Sequence, residues 1–541
     1  MGPSSTEPTG GRHRDAVPGL RILHLGAQRR FAALAGHTGL TADGWREAVA
    51  AGADLLLLEP PSEAPGWDPL EGGLPTLLAA AAGAGIPTVR IHPAPPDADV
   101  AGHATLELVE TAPGGPSAGG DRLPVTVDTT RLHPGGWTHT PPDAVVARLG
   151  RPPDATGRDL LRCLDPTPTL LLEPRLAGAL DPEVLRGPGG LDRTRRVSST
   201  ARLARLLHRA GVLLDHPGWQ RDAAQRWRGC LAALACGVPV VSVDPVHGGW
   251  TPGVVTVTAD QATATVHGLL VDGDARERLS IAGRRHALAT ADRRSALLTI
   301  LDHLGVHRPA PPTTTVLLAT HRPELLDHAL GSIRRQRQDG VDVSLVLHGP
   351  GFEGVDLPDR GPELAQVVRA PASWNLGDCL NAALEGARGH LVAKMDDDDH
   401  YAPDHLTDLV LAWRYSGAEV VGKRIEFIHL AERDVTLRRR PSQPERDRPH
   451  VGGPTLLADR ATLRRFGFLR LPNRVDSTLY ERVLAAGGRV YGTHSRDVVL
   501  SRRGGGHGHA WQVTEEELLT GTAWTRPGLD LAAASSDPGQ G

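Results

Sequence analysis

The sequence contains little of several residue types, and each shortage excludes a class of protein. Its four cysteines in 541 residues form no C-x-x-C pair, so we interpret them as buried or incidental thiols of a reducing cytoplasm. A formal net charge of −4 gives no electrostatic reason to expect a nucleic-acid partner. No apolar run reaches the ~18 residues of a membrane span, and the polar N-terminus lacks a signal-peptide core. We therefore expect a cytoplasmic protein without a transmembrane segment, with peripheral association at the inner membrane face left open.

Lysine is the scarcest charged residue. Of 59 lysines and arginines only Lys394 and Lys423 are lysines, and Lys423 is expected to be an exposed residue at the start of a strand. Both fall between residues 352 and 491, together with all four tyrosines and four of the five phenylalanines. The rest of the chain is biased toward Ala, Gly, Pro, Arg and Leu. One interpretation is that these rare residues cluster by chance. The other is that functional requirements retained them in this segment against the compositional bias.

Short apolar runs alternate with helical patterns along most of the chain. This alternation predicts an α/β protein with Rossmann-like open sheets, whose ligands bind beyond the carboxyl ends of the strands. A Pro-rich stretch at 308–315 marks a boundary. The predicted division has a disordered tail at the start, two Rossmann-like domains, a linker, a third α/β domain and a C-terminal tail: 1–18, 19–147, 148–307, 308–314, 315–515 and 516–541.

Four consecutive aspartates, Asp396 to Asp399, close the predicted strand 390–395. Residues two apart on a strand project to the same side, so Asp396 and Asp398 can converge at the carboxyl edge of the sheet. Adjacent carboxylates repel one another unless a cation is present, and Mg²⁺ or Mn²⁺ bridging to a substrate phosphate would relieve that repulsion. A solvated acidic turn is the alternative, but the position after a buried strand favours the metal site.

The segment 313–515 resembles a family 2 glycosyltransferase of the GT-A fold. The pieces that carry the resemblance occur in the family's order, at 313–333, 375–389, 394–406, 452–468, 475–488 and 506–511. The resemblance implies a nucleotide-sugar donor, and the residues that it assigns to donor binding are Thr320, His321, Arg322, His348, Asn375, Gly377, Asn381 and Asp396. His348 stands where many members have an aspartate that recognises uracil, so the resemblance does not assign uridine as the nucleoside of the donor.

The same resemblance implies the remaining roles of the site. The metal ligands, for Mn²⁺ or Mg²⁺, are Asp396, Asp398, Asp399 and His509. Asp476, at the start of a predicted helix, is the implied catalytic base. A carboxylate can take the proton of an acceptor hydroxyl, and one base opposite the leaving group gives displacement with inversion. A plain helix N-terminal carboxylate is the alternative for Asp476.

The first two domains resemble a GT-B glycosyltransferase of the spore-maturation-protein type. The matching passages are 41–60, 85–92, 226–244 and 277–305. In that fold a glutamate before A-C-G-x-P holds the donor ribose, and aligning on Ala235, Cys236 and Gly237 places Ala232 there. Alanine cannot accept the two ribose hydroxyls. We therefore expect a scaffold or acceptor-recognition module: a degenerate GT-B-like pair followed by a GT-A domain.

The predicted function is a bacterial, metal-dependent, inverting hexosyltransferase that moves a sugar from a nucleotide-sugar donor to a hydroxyl of a glycan, glycolipid or small natural product. Two alternatives stay open: a bifunctional enzyme with both halves active, and a non-catalytic scaffold that binds a glycan or nucleotide. The arginine-rich segment 433–448 is expected to be a lid on phosphates or on an anionic acceptor, or a solvated loop.

Overall fold

The computed structural model describes residues 20–25, 36–39, 45–58, 73–92, 106–111, 121–124, 127, 132–135, 144–148, 155–164, 169–173, 194–196, 199–219, 223–244, 251–305, 311–355, 357, 362–441, 443–471, 474–503 and 515–540. The tail predicted at 1–18 lies outside this part of the chain. The chain forms two compact units, the first of residues 1–134 and 140–309 and the second of residues 135–139 and 310–541. None of the described helices combines the length and hydropathy that crossing a membrane requires.

The first unit begins with a six-stranded parallel sheet of order β2-β1-β3-β4-β5-β6. Its third strand is four leucines, all buried, as a parallel strand covered on both faces requires. The strands are β1 Arg21–Leu25, β2 Gly36–Gly39, β3 Leu55–Leu58, β4 Thr88–His92, β5 Leu106–Thr111 and β6 Asp121–Pro124, and the helices among them are α1 Trp45–Ala50 and α2 Gly73–Gly83.

A second six-stranded parallel sheet, of order β12-β11-β10-β7-β8-β9, completes this unit. Its strands are β7 Ala144–Arg148, β8 Thr169–Glu173, β9 Thr194–Arg196, β10 Ala210–Asp215, β11 Val240–Ser242 and β12 Val254–Thr256. The helices are α3 Ala155–Cys163, α4 Thr200–Leu207, α5 Ala223–Ala235, α6 Ala259–Val271, α7 Gly273–Thr290 and α8 Arg293–His303. The second sheet therefore begins at residue 144, whereas the sequence predicts a boundary after residue 147. Helix α8 packs its Leu297 and Ile300 on the first sheet.

The second unit is built on an eight-stranded mixed sheet of order β15-β14-β13-β16-β22-β18-β23-β21. Its strands are β13 Thr314–Thr320, β14 Val341–His348, β15 Glu363–Ala370, β16 Leu391–Lys394, β18 Val420–Lys423, β21 Arg446–Asp447, β22 Leu457–Asp459 and β23 Val490–Thr493. The covering helices are α9 Leu326–Arg334, α10 Leu376–Gly386, α11 His405–Ser416, α12 Arg460–Phe466 and α13 Val475–Ala485. Alternate residues of β13 fill two cores: Val316 and Leu318 face one, and Leu317 faces the other.

A five-stranded sheet of order β17-β24-β19-β20-β25 completes the second unit. The remaining elements are β17 His400–Tyr401, β19 Phe427–Leu430, β20 Val435–Arg439, β24 Val498–Arg502, β25 Thr522–Pro527, α14 Glu515–Thr520 and α15 Leu531–Ala534. The structure corrects the C-terminal tail predicted over 516–541, because β25 pairs with β20 and Ala534 packs beside Phe427. It also corrects part of the lid or solvated loop predicted over 433–448, because residues 435–439 form β20, which is hydrogen-bonded on both sides, and residues 446–447 form β21. Strand β19 is the preceding strand of a hairpin with β20, whereas β25 begins 83 residues after β20 ends (439 to 522), so local composition did not reveal the second pairing.

The mixed α/β class predicted from the sequence is confirmed. Both sheets of the first unit are parallel, as the Rossmann-like interpretation requires, while the resemblance of that unit to GT-B enzymes stays a prediction. In the second unit, β13, β14 and β16 are parallel neighbours. Their carboxyl ends therefore meet at one edge, and this edge carries the candidate site.

Candidate active site

Residues that the sequence singled out follow three neighbouring strands at this edge. Thr320 ends β13, His348 ends β14, and Asp396 comes two residues after the end of β16. The Nε2 of His348 is buried, and no hydrogen bond reaches it from the described residues. His321 is exposed. The parallel order of the strands thus brings together side chains that are as much as 76 residues apart (320 to 396) in the sequence.

The middle of the aspartate run is tied to the loop after β13. The Thr320 hydroxyl donates to Asp397 Oδ2 at 2.5 Å, and the Arg322 guanidinium pairs with both oxygens of Asp397. A third bond joins Arg322 Nη1 to Asp398 Oδ2 at 2.8 Å. Burial alone would lower the pKa of Arg322, but the hydrogen bonds and charges of Asp397 and Asp398 raise it. Arg322 and Thr320, both predicted donor contacts, therefore hold the aspartates in place.

The fourth aspartate of the run is turned inward. Asp399 is buried, and its Oδ1 accepts a hydrogen bond from the Ser501 backbone N–H at 2.9 Å. Burial, followed by the charges of Asp396 and Asp398, raises the pKa of Asp399 well above its usual range. Crowded carboxylate oxygens of this kind suit a hard divalent cation, which the side chains of Asp396 and Asp398 would hold. His509, the fourth predicted ligand, lies outside the described residues.

Lys394 joins the first aspartate of the run to the predicted base. Its buried Nζ lies 2.7 Å from Asp396 Oδ1 and 3.5 Å from Asp476 Oδ2. Burial would lower the pKa of Lys394, but the charges of Asp396 and Asp476 raise it, so the ammonium persists. The two acids reach solvent, with exposed side-chain fractions of 39% for Asp396 and 23% for Asp476. Lys394 therefore holds both carboxylates at the mouth of the site.

A glycine leaves room for Asp476, and a buried tyrosine lies near it. A Cβ at Gly453 would lie only 2.0 Å from Asp476 Oδ2, so a side chain there would displace the carboxylate. The other oxygen, Oδ1, is buried and accepts no hydrogen bond from any residue that the structure describes. Burial and the charges of Asp476 and Asp396 raise the pKa of Tyr480, which keeps its proton. The part of the Asp476 carboxylate that reaches solvent has the chemistry to accept a proton from a hydroxyl.

Tyr401 fixes the start of the aspartate run. Its hydroxyl accepts from the backbone N–H of Asp396 at 2.9 Å and donates to the Pro454 carbonyl at 3.2 Å. Pro454 is the neighbour of Gly453, the residue that leaves room for Asp476. One phenol therefore connects the loop that carries the aspartates with the loop that positions the predicted base.

Three residues that were predicted to bind the donor make contacts within the protein. Asn375 caps helix α10 by accepting from the Asp378 N–H at 3.1 Å. A Cβ at Gly377 would lie 2.1 Å from the Leu469 carbonyl oxygen, so glycine is needed for that close approach. Asn381 donates to the Phe468 carbonyl at 2.8 Å and accepts from the Phe468 N–H at 2.9 Å. Gly377 and Asn381 thus hold the segment 467–470, a packing role that the sequence did not reveal.

The sequence did not predict a role for Lys394, Asp397 or Gly453. Its prediction for Lys423 was wrong. The scarcity of lysine was the available signal for both lysines. Lys423 is fully buried at the end of β18, which corrects the exposed strand start predicted for it. Its Nζ lies 3.5 Å from Asp408 Oδ2 and 3.9 Å from Asp497 Oδ2. The physical reason is charge: these buried acids, which come from distant segments, need a cation.

Comparison with known proteins agrees with this geometry. Residues 320–469 match the family model described as Glycosyl transferase family 2. The C-terminal part of the chain is a family 2 glycosyltransferase domain. The chain is 33% identical over 103 residues to the amylovoran biosynthesis glycosyltransferase AmsE of Erwinia amylovora, covering 18% of this chain and 38% of that protein. It is 26% identical over 128 residues to the putative glycosyltransferase EpsH of Bacillus subtilis (strain 168), covering 21% and 37%. It thus spans less than two fifths of the length of either curated relative.

Solved structures of glycosyltransferases are similar to parts of the chain. Staphylococcus aureus TarS 1–349 in complex with UDP-GlcNAc has a TM-score of 0.30 at 18% identity, covering 38% of this chain and 64% of that one. The mannosyltransferase PcManGT of Pyrobaculum calidifontis, in complex with GDP-Man and Mn²⁺, has a TM-score of 0.28 at 20% identity, covering 41% and 69%. These scores are too low to assign residues of this chain, and the family 2 domain rests on the match at 320–469.

Proposed function

We propose that this protein is a metal-dependent inverting glycosyltransferase that moves a hexose from a nucleotide-sugar donor to an acceptor hydroxyl. One observation carries the proposal: Lys394 holds Asp396 and Asp476, which are 80 residues apart (396 to 476), at the mouth of one site. Asp396 would act on the donor and Asp476 on the acceptor. A sugar that passes from donor to acceptor would therefore lie near both carboxylates. The acceptor is a glycan, glycolipid or small molecule.

In this mechanism the Asp476 carboxylate, which is 23% exposed, takes the proton of the acceptor hydroxyl, a step worth about 10²–10⁴-fold in rate. Asp396 and Asp398 would hold Mn²⁺ or Mg²⁺, with Asp399 and His509 as the other two predicted ligands. The bound cation would neutralise the departing diphosphate. Arg322 keeps Asp398 oriented through a hydrogen bond of 2.8 Å, and Lys394, whose Nζ lies 3.5 Å from Oδ2, orients Asp476. His321, His348 and Asn375, at the ends of β13 and β14 and the start of α10, are the proposed contacts to the nucleoside.

The first unit is proposed to be a scaffold or acceptor module. At the carboxyl ends of β10 and β11, Arg226 donates to Asp215 Oδ2 at 2.8 Å and to Ser242 Oγ at 3.0 Å. It also pairs with Asp244 at 3.4 Å. This is the edge at which an open sheet binds ligands, and here the arginine is engaged with the protein's own acids. Ala232, which replaces the ribose-binding glutamate, is buried in α5.

The decisive experiment is a thermal-shift screen of the whole protein with UDP- and GDP-sugars, with and without Mn²⁺. A donor should stabilise the protein by RT ln(1 + [L]/Kd), and only with the metal. Asp398→Ala should abolish that shift and the slow hydrolysis of the donor, while Asp159→Ala, which removes an exposed acid of the first unit, should change neither. Metal-independent binding without sugar release would favour the non-catalytic scaffold. Sugar transfer that survives Asp476→Asn at full rate would favour an active first unit.

A further inference from the structure

The ammonium of Lys394 is shared unequally between two carboxylates. Its Nζ donates a hydrogen bond to Asp396 Oδ1 at 2.7 Å, whereas Asp476 Oδ2 lies 3.5 Å away, at ion-pair distance. Among the residues that the structure describes, no other cation forms an ion pair with either acid. The charge of Lys394 is therefore divided between two carboxylates, and a change that draws it toward one takes it from the other.

The cation at the second predicted metal ligand is held differently. Arg322 donates to Asp398 Oδ2 at 2.8 Å, but its guanidinium also pairs with both oxygens of Asp397. Asp397 is buried and is not one of the predicted ligands. Three bonds from one planar group hold Arg322 in a single orientation, whereas the ammonium of Lys394 ends a flexible four-carbon chain. Of these two cations, Lys394 is the one that can change partners.

Other groups position the two acids that share Lys394. The backbone N–H of Asp396 donates to the Tyr401 hydroxyl at 2.9 Å. Asp476 Oδ2 packs against Gly453, where a Cβ would lie only 2.0 Å away. Hydrogen bonds from nitrogen to oxygen are about 2.7–3.2 Å long, so a shift of less than about 1 Å would bond the ammonium to Asp476. The acids can stay in place while Lys394 moves between them.

Lys394 and a divalent cation would draw on the same carboxylate. One oxygen of Asp396 is bonded to Lys394, and the other, Oδ2, accepts no hydrogen bond from the described part of the chain. The Asp396 side chain is 39% exposed, so a cation can reach it. A cation there would repel the ammonium, because like charges a few ångströms apart interact strongly near a protein surface. Asp476 gives the displaced ammonium a second partner.

We propose that Lys394 couples the metal site to the predicted base: it competes with the divalent cation for Asp396, and it pairs more closely with Asp476 when that cation binds. This inference rests on the proposed function. Lys394 is a positioning residue in it, since it acts on the reaction only through the two carboxylates. Binding on the donor side would orient the base, and by reciprocity the charge of Asp476 would favour metal binding through Lys394.

The test measures Mn²⁺ binding to the full-length protein from the electron paramagnetic resonance signal of free Mn²⁺, with and without excess UDP or GDP. The site measured is the one that Asp398→Ala abolishes. Lys394→Met should bind Mn²⁺ at least threefold more tightly than wild type, because the competing cation is gone. Asp476→Asn should bind it at least threefold more weakly, because Lys394 then pairs with Asp396 alone. Glu481→Gln, an exposed change on the same helix, should bind like wild type.

A double-mutant cycle separates this coupling from the general effect of charge near the metal site. Loss of a nearby negative charge would by itself weaken Mn²⁺ binding whether or not Lys394 is present. If Lys394 transmits the effect, Asp476→Asn should change the Mn²⁺ affinity of the Lys394→Met variant less than twofold. An equal effect of Asp476→Asn with and without Lys394 overturns the inference. Urea denaturation verifies that each variant is folded, and Lys394→Gln replaces Lys394→Met if the latter does not fold.

Mn²⁺ binding by Lys394→Met that is equal to or weaker than that of wild type also overturns the inference, since Lys394 would not then compete for Asp396. Both of these results leave the proposed function standing, because wild type still binds Mn²⁺ at the site of Asp398. If wild type shows no Mn²⁺ binding that Asp398→Ala abolishes, with or without nucleotide, the proposed function fails and the inference fails with it. The two failures are therefore distinguishable.

Discussion

The two lysines of the chain each join two carboxylates, and the two clusters differ in their access to solvent. Lys394 joins Asp396 and Asp476, whose side chains are 39% and 23% exposed. Lys423 lies between Asp408 and Asp497, which are 3% and 2% exposed. One lysine and two aspartates thus form an open cluster around Lys394, which a substrate can reach, and a closed cluster around Lys423, which it cannot. Exposure of the acids, not the presence of the ion pair, separates a reactive site from a structural one.

The closed cluster ties distant segments together. His494 Nε2 lies 2.8 Å from Asp408 Oδ2, and the Ser536 N–H donates to Asp497 Oδ1 at 2.8 Å. The Asp497 N–H in turn donates to the Ala534 carbonyl at 2.8 Å. The C-terminal segment is therefore anchored on the residue that pairs with Lys423. We expect changes in the open cluster to reduce activity, and changes in the closed cluster to reduce stability.

The largest effect is expected from Asp476→Asn in the open cluster. An amide keeps the shape but cannot accept the proton, so Mn²⁺-dependent sugar release from the donor should fall by about 10²–10⁴-fold. The free energy of unfolding should change little, because Asp476 reaches solvent. Enzyme assays and urea denaturation measure the two quantities. Glu481→Gln, an exposed change on the same helix, is the control, and full activity of Asp476→Asn would remove Asp476 as the base.

The next effect is expected from Lys423→Met in the closed cluster. It leaves two buried carboxylates without their cation, which should cost about 3–5 kcal/mol of unfolding free energy. Lys394→Met should cost less stability, since solvent screens Asp396 and Asp476, but more activity. Urea denaturation of both variants checks the contrast. If Lys394→Met proves the more destabilising of the two, exposure does not separate the clusters.

A smaller effect is expected from Gly453→Ala, which tests the placement of the open cluster. The new Cβ would lie 2.0 Å from Asp476 Oδ2 and push the carboxylate aside. A displacement of about 1 Å in a catalytic group can cost 10²-fold in rate, and kcat should fall while donor affinity persists. Gly521→Ala, whose Cβ meets its nearest atom at 3.7 Å, is the matched control and should keep wild-type kcat. A Gly453→Ala variant as fast as this control contradicts the geometry.

The smallest effect is a pH dependence of the closed cluster. Burial, followed by the charge of Lys423, lowers the pKa of His405 well below the ordinary 6.5, so the folded protein keeps this histidine neutral. Below about pH 6.5 the unfolded chain takes up a proton that the folded chain does not, so stability falls with pH by at most ~1.4 kcal/mol per unit. In urea denaturation between about pH 7 and pH 5.5, His405→Gln should show a shallower decline than wild type. Equal slopes would exclude His405 as the titrating group.

Motifs that act locally could be predicted from the sequence. The buried strand ending in four aspartates placed Asp396 and Asp398 at the edge of a sheet, and the start of a helix at residue 475 placed Asp476. The predictions of an exposed Lys423 and of a tail after residue 516 were wrong because the partners of these residues are remote in sequence. Asn381 illustrates a third case: its type and spacing fit a family motif, but its amide is hydrogen-bonded to Phe468.

The sequence by itself determined the α/β class, the family 2 domain and the order of its acidic residues, because hydrophobic periodicity and short motifs are local properties. Only the tertiary structure decided which lysine stands in an open site and which in a closed one. Each is the last residue of a buried strand, β16 or β18, and each lies near an acid that is remote in sequence, Asp476 for Lys394 and Asp497 for Lys423. The difference lies in what covers those acids: the C-terminal segment packs onto Asp497, whereas Asp396 and Asp476 stay at the edge of the sheet, where solvent and a substrate can reach them.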